Sequence, residues 1–375
     1  MKLRRKNMNE RLILLPLQII EQEDGIIIKR GLEQILIPNS NALLIMQVIQ
    51  RALLKQPLSR ESLLSLFAAP LRPLIADLVE HLLKKRFMLQ ERDGKVLHQS
   101  HLENAQDVFY WHFNQYQQNI ADTLNQKNWL FIGVNHLNQQ LLQAMLDEGL
   151  ENYIIVDDPM LRNIENFNDD HQINSIFWKS HADRIVDEDE VIHCNTVNRK
   201  DLGFVVAASE FGSFYLLERW NEYAVQNDLG FYPVVLQNMV GYAGPLVIPH
   251  ESACFTCLKS RQNSHKSNFS ECRLTEKHAF GGQKVVAYHQ SMLKILAAVA
   301  QFDLVKFKSN IQWEVGTLCE IDLLNGNMTR RKLLKSPRCP VCSGLRNQPL
   351  VNIHKQLTSN QAWDEIRQTV GAYEN

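Results

Sequence analysis

Two cysteine pairs constrain this chain more than any other feature. They are Cys254–Phe255–Thr256–Cys257 and Cys339–Pro340–Val341–Cys342, with residues 258–338 between them. A C-x-x-C pair on a tight turn points both sulfurs at one metal. Two such pairs complete the tetrahedral four-thiolate shell of structural zinc. Such a shell has no open position, so the metal would hold structure rather than do chemistry. Four unrelated thiols, or a single redox C-x-x-C, are the alternatives. Neither pair lies where a thioredoxin-type strand-to-helix turn would place it. Zinc on Cys254, Cys257, Cys339 and Cys342 is therefore the expectation.

At 375 residues, 45% hydrophobic and 22% charged, the chain can bury more than one core. Its formal charge of −1 argues against a basic nucleic-acid surface. Seven cysteines, the others being Cys194, Cys272 and Cys319, fit a reducing cytoplasm better than a disulfide scaffold. Lys2, Arg4, Arg5 and Lys6 before Leu12–Ile20 imitate a signal peptide. Pro16 and Gln18 interrupt the run, and no small-residue cleavage site follows, so it reads as a strand. The apolar stretch from Met292 to Phe307 is broken by Lys294, Asp303 and Lys306, so no membrane span is expected.

Residues 14–37 read as three strands. Leu14–Glu21 and Ile26–Arg30 flank Glu23-Asp24-Gly25, a hairpin signal in which Gly25 would supply a positive φ. Gly31 breaks the chain before Glu33–Ile37, and Pro38 ends that strand. Three helices follow. The first, capped by Asn39 or Ser40, has the apolar set Leu43, Leu44, Met46, Val48 and Ile49. The second is capped by Ser59. The third runs from about Leu71 to Phe87, with Leu74, Leu78 and Leu82 four residues apart. Three strands and three helices describe a winged-helix-like unit. A DNA-binding winged helix or a dimerisation module are alternatives. Lys84, Lys85 and Arg86 stand at the helix end, where cations complement the dipole, so DNA contact is not expected.

Residues 93–127 are polar and read as a linker. A Rossmann-like α/β rhythm then begins. Trp129–Val134 is a strand, Leu137–Glu148 a helix and Tyr153–Asp158 a strand. Glu190–Cys194 and Phe204–Ala208 read as further strands, before a helix over 212–226. Thr317–Leu324 and Met328–Leu334 flank an Asn325-Gly326 turn and lead into Cys339. Lys259–His278 reads as a polar loop carrying His265, Cys272 and His278, ahead of a helix over Lys284–Gln301.

The run Leu246-Val-Ile-Pro-His250 into Cys254-x-x-Cys257, closed by Pro337-Arg-Cys-Pro-x-Cys342, resembles ThiF/MoeB-like proteins over about residues 126–345. Those proteins adenylate a carboxylate with Mg-ATP and commonly carry this zinc. The N-terminal order of strands and helices resembles the peptide-recognition domain of ribosomal-peptide-modifying systems. There a leader peptide adds as a strand beside the third strand and packs on the third helix. Mapped here, Glu33, Ile35 and Ile37 would receive it. Leu74, Leu78 and Leu82 would form the groove wall, with Lys85 at its rim. Those three leucines are explained equally well as domain core. The whole chain thus resembles the leader-binding, ThiF-like partner proteins of YcaO-type azoline-forming systems. The resemblance implies a cytoplasmic, homodimeric scaffold. It would be the non-catalytic partner of a cyclodehydratase, which converts Cys, Ser or Thr into thiazoline or oxazoline rings. It divides the chain into a recognition domain (1–92), a linker (93–127), a zinc-bearing ThiF-like domain (128–345) and a C-terminal extension (346–375).

The nucleotide site of such a fold needs a glycine-rich turn, because side chains block the approach of phosphate to the backbone. This chain has Gly133-Val134-Asn135-His136-Leu137-Asn138, with one glycine. Asp157 or Asp158 could meet a ribose. The family's Asn-Leu-x-Arg-Gln run appears as Asn166-Phe167-Asn168-Asp169-Asp170, with an aspartate in place of the phosphate-binding arginine. Arg162 could substitute for it. The expectation is that ATP is not used and that no residue is catalytic. The alternative is an active enzyme that adenylates a peptide carboxylate, and a regulator built on a dead ThiF body is a third reading.

Overall fold

The computed structural model describes residues 11–90 except 32, residues 106, 109, 110, 113 and 115, and residues 117–344 except 194–197, 213, 238 and 265–286. Cys194, His265, Cys272, His278 and the extension 346–375 lie outside the described residues, as does most of 93–116. The chain forms two compact units, one mainly from residues up to Leu124 and one mainly from Asn125 onward.

The first unit contains β1 (Arg11–Leu14), β2 (Gln18–Gln22), β3 (Gly25–Arg30), β4 (Glu33–Ile37), α1 (Ala42–Lys55), β5 (Leu58–Ser59), α2 (Arg60–Ser65), α3 (Arg72–Lys84), β6 (Met88–Gln90) and α4 (Gln117–Leu124). Two three-stranded sheets form, ordered β2-β3-β4 and β5-β1-β6. The expected strand over Leu14–Glu21 is therefore two strands in different sheets. Pro16 lies between them, and it has no amide to continue a ladder. Gly25 is not in the left-handed region. A Cβ there would stand 2.1 Å from the Ile37 carbonyl oxygen, so close approach, not a positive φ, demands glycine. The φ of +57° belongs to Gly31, between β3 and β4.

α1 buries Ala42, Met46, Ile49 and Leu53, while Leu44 and Val48 are exposed. The apolar set read from sequence held residues from both faces. The buried stripe follows the 3.6-residue period, and each fully buried large side chain contributes roughly 1.5–3 kcal/mol. Ser59 caps α2 as expected, its Oγ accepting the Ser62 N–H at 3.1 Å.

The second unit holds one eight-stranded sheet. Its strands are β7 (Asn128–Ile132), β8 (Tyr153–Asp157), β9 (Ile185–Asp187), β10 (Leu202–Ser209), β11 (Gly230–Gln237), β12 (Val240–Ala243), β13 (Thr317–Asp322) and β14 (Asn327–Lys332). Its helices are α5 (His136–Asp147), α6 (Ile176–Ser180), α7 (Glu188–Ile192), α8 (Glu218–Gln226), α9 (Phe255–Ser264) and α10 (Gln290–Lys308). The sheet order is β14-β13-β12-β11-β10-β7-β8-β9. Strands β11, β10, β7, β8 and β9 are parallel, and the rest are antiparallel. The chain winds outward from β7 to β9 and then returns to place β10 on the other side of β7. That reversal makes the carboxyl ends of β7 and β10 a topological switch point.

Two local expectations need correction. Glu190–Cys194 is not a strand, because α7 covers Glu188–Ile192. Glu188, Asp189 and Glu190 fill its first turn, where acids complement the helix dipole, and only Val191 is buried. The polar segment after Cys257 does not start as a loop, since α9 extends to Ser264.

Asp303 ties α10 to the exposed edge strand β14. It accepts from Arg330 at 2.9 and 3.1 Å, from the Tyr232 hydroxyl at 3.1 Å, and pairs with Lys306 at 2.8 Å. Burial pushes the Asp303 carboxyl up, but the Arg330 and Lys306 contacts outweigh it, leaving the group below its ordinary value. A depressed carboxyl contributes stability above its unfolded pKa and loses it as pH falls through the folded one. Asp303→Asn should therefore cost roughly 1.5–3 kcal/mol near neutrality. Thermal melts should show the gap between variant and wild type closing as pH falls below about 4. A gap that stays constant down to that range would refute the assignment.

Candidate functional site

Three arrangements carry chemistry. The first is the cysteine cluster. Cys254 precedes α9, and Cys257 lies in its first turn. Cys339 and Cys342 lie in the loop after β14. All four are buried. The Sγ atoms of Cys254 and Cys257 are 3.9 Å apart, those of Cys254 and Cys339 3.5 Å, and those of Cys257 and Cys342 3.5 Å. All four ligand atoms lie within 4.8 Å of one another, so they could hold one metal ion. A tetrahedral thiolate shell at the Zn–S bond length has edges of about 3.8 Å, so the spacing fits that ion. The Ser336 N–H reaches Cys257 Sγ at 3.4 Å. Asn221 on α8 braces the turn. Its Oδ1 accepts the Phe255 N–H at 3.0 Å, and its Nδ2 meets Thr256 Oγ1 at 3.1 Å. Sequence reading missed Asn221, because nothing in the spacing connects it to Cys254.

The second is the edge of the small sheet. β4 pairs only with β3 among the described strands, so its other side carries unpaired backbone groups. Glu33, Ile35 and Ile37 share the face that packs on the helical core. Ile35 is buried in the cluster that contains Ile75, Val79 and Leu82. Leu36 points to the opposite face and is 60% exposed. With Ile27 and Ile20 it forms a cross-strand apolar row. On α3, Leu74 is 52% exposed, Leu78 is partly buried and Leu82 is fully buried. Leu82 therefore belongs to the core and offers no surface to a peptide. Lys85 meets Glu33 at 3.5 Å, and Arg30 donates to the Arg86 carbonyl at 2.6 Å. These contacts fasten the end of α3 to the β3–β4 hairpin.

The third lies at the switch point. Asn135 caps α5, its Oδ1 accepting the Asn138 N–H at 2.9 Å. Its Nδ2 donates to the carbonyls of Leu161 and Ala208, each at 2.9 Å. One buried amide thus joins the segments that follow β7 and β8 to the carboxyl end of β10. Gly133 has φ +102°, and a Cβ there would stand 2.7 Å from Asn135 Nδ2. Asp157 is gripped by Arg162 through two bonds of 2.6 and 2.7 Å, and Arg162 also lies over the Phe167 ring. The hydrogen bond that Arg162 donates to Asp157 leads in holding the guanidinium above its ordinary pKa. Asp158 is fully buried and accepts from Trp220 Nε1 and the Met160 N–H, with Arg219 as its ion pair. Asp169 and Asp170 are exposed. The two candidate ribose acids thus already have partners.

Glu210, just past β10, completes this cluster and was not singled out in the sequence. An acid at the carboxyl end of a predicted parallel strand was the available signal. Its Oε2 accepts the Leu137 N–H at 2.7 Å, and its Oε1 accepts Asn163 Nδ2 at 2.5 Å. Burial raises its carboxyl, opposed by Asn163, His136, the Leu137 amide and the Tyr288 hydroxyl.

Fold and site together define an open α/β protein with a parallel-rich sheet, a four-cysteine cluster and a smaller α/β unit. No protein-family model matches the sequence, and no curated protein matches it. Solved structures share the fold. E. coli MccB with ATP superposes with a TM-score of 0.59 at 16% identity, covering 88% of this chain and 99% of that one. The microcin C7 biosynthetic enzyme MccB in complex with N-formylated MccA gives 0.59 and 16%, with the same coverage. The heterocyclase TruD gives 0.57 at 14%, covering 89% of this chain and 43% of that one. Among the described residues no helix is long and apolar enough to cross a membrane.

Proposed function

We propose that this chain is a precursor-peptide-binding scaffold of a ribosomal-peptide modification system. It would present a leader peptide to a YcaO-type cyclodehydratase for azoline formation. The free edge of β4 carries the reading. An extended leader would gain backbone hydrogen bonds there, with Leu36 and Leu74 offering apolar contacts beside the strand. In this reading residues 1–92 recognise the leader, 93–127 link, 128–345 form a ThiF-like body, and 346–375 extend it. One structural zinc on Cys254, Cys257, Cys339 and Cys342 would staple the body. The chain would act as a cytoplasmic homodimer and leave the chemistry to its partner. The direct test is anisotropy of labelled leader segments of ribosomally made precursor peptides, added to purified protein. Saturable binding supports the reading. No binding up to solubility rejects it.

Likeness to a MccB crystallised with ATP favours a second reading, adenylation of a peptide carboxylate. The partnered state of Asp157 and Asp158 and the Asn135 bridge weigh against it. Calorimetric titration with Mg-ATP is expected to give no heat of binding. Micromolar binding with pyrophosphate release on peptide addition would transfer the reading to the enzyme.

A further inference from the structure

The α5 helix has twelve residues, and its first N–H groups have no partner within the helix. Such an end attracts anions. Two of these donors are already used. Asn135 Oδ1 takes the Asn138 N–H, and Glu210 Oε2 takes the Leu137 N–H. The Glu210 side chain is fully buried, with His136 Nδ1 at 3.8 Å. Asn163 holds its second oxygen, and the Asn163 N–H in turn donates to the Val134 carbonyl at 3.0 Å. The Tyr288 hydroxyl lies 3.5 Å from His136 Nδ1, on the same side of the cluster.

We infer that Glu210 is a tethered internal anion that occupies the anion position of α5 and locks together the segments following β7, β8 and β10. Its carboxylate stands where an external phosphate or carboxylate group would take the Leu137 N–H. Any external anion must displace a group that is covalently held in place. The lock explains why a closed cluster can replace the glycine-rich turn without leaving buried donors orphaned. It goes beyond the scaffold reading, because leader binding at β4 stands or falls without it.

Chemical rescue tests the lock on the full chain at neutral pH. Glu210→Ala opens a cavity of carboxylate shape, leaves the Leu137 N–H unpaired and leaves Asn163 Nδ2 only its 3.2 Å contact with His136 Nδ1. Its melting temperature should fall by about 5 °C or more. Sodium formate should restore at least half of that loss, while sodium chloride at equal ionic strength should not. Wild type should not respond to formate. Glu210→Gln fills the cavity but turns an N–H toward another donor. It should also melt lower, without rescue. Should the alanine variant fail to fold, the glutamine variant decides. A Glu210→Gln protein as stable as wild type overturns the proposal. So does a Glu210→Ala protein that melts like wild type, or formate that lifts both proteins equally.

Discussion

Replacing Cys254 or Cys339 with Ser should remove the metal and collapse the fold around it. Wild-type protein should carry one zinc per chain, and each variant less than a tenth of that. The four sulfurs come from two segments, one at the start of α9 and one after β14, and among the described residues no disulfide joins them. Each sulfur sits in the core cluster of the second unit beside Phe255 and Val341. Without a cation the cluster must bury four crowded thiols with no metal to hold them together. Metal binding is coupled to folding in such sites, where about 10–16 kcal/mol is at stake in small isolated examples. Only part of that should appear here, because the sheet and α10 have cores of their own. A loss larger than that of a single core truncation, roughly 2–5 kcal/mol, is still expected. Elemental analysis with thermal melts, before and after a strong chelator, checks it. Protein that is folded, zinc-free and equally stable would reject the site.

A proline in β4 should abolish leader binding while leaving the second unit intact. Successive amides of a strand point to opposite edges. Ile35→Pro and Leu36→Pro therefore remove one amide toward β3 and one toward the free side. The variant that loses the outward amide should bind the labelled leader at least tenfold more weakly with little change in stability. The other should destabilise the first unit, because it breaks the ladder with β3. Zinc content should be unchanged in both. If both proteins stay folded and bind like wild type, the edge is not the peptide site, and the exposed row Ile20–Ile27–Leu36 becomes the surface to test.

Several parts of the fold were legible because their causes are local. Ser59 followed by an acid-bearing first turn makes an N-cap wherever it stands. The strands Asn128–Ile132 and Leu202–Ser209 are buried on both faces and read as continuous apolar runs. The misreadings have equally specific causes. Leu44 and Val48 are apolar yet exposed, and composition cannot tell which face of α1 meets the core. The role of Gly25 depends on the Ile37 carbonyl, which only the folded hairpin brings near. Glu188–Ile192 was short and mixed, so the charge in its first turn decided for helix over strand.

The candidate site divides along the same line. The four cysteines were legible in the chain, because their type and spacing match a four-thiolate set, and the fold brings their sulfurs within 4.8 Å of one another. So was the single glycine, Gly133, in the turn after β7. What packs against that turn emerges only once the chain is folded. Asn135 reaches carbonyls at Leu161 and Ala208, Arg162 closes on Asp157, and Glu210 meets Leu137 from 73 residues away. The physical reason is that a buried polar group is fixed by where its partner lies in space. For these residues, sheet order brings together partners that are distant in the chain.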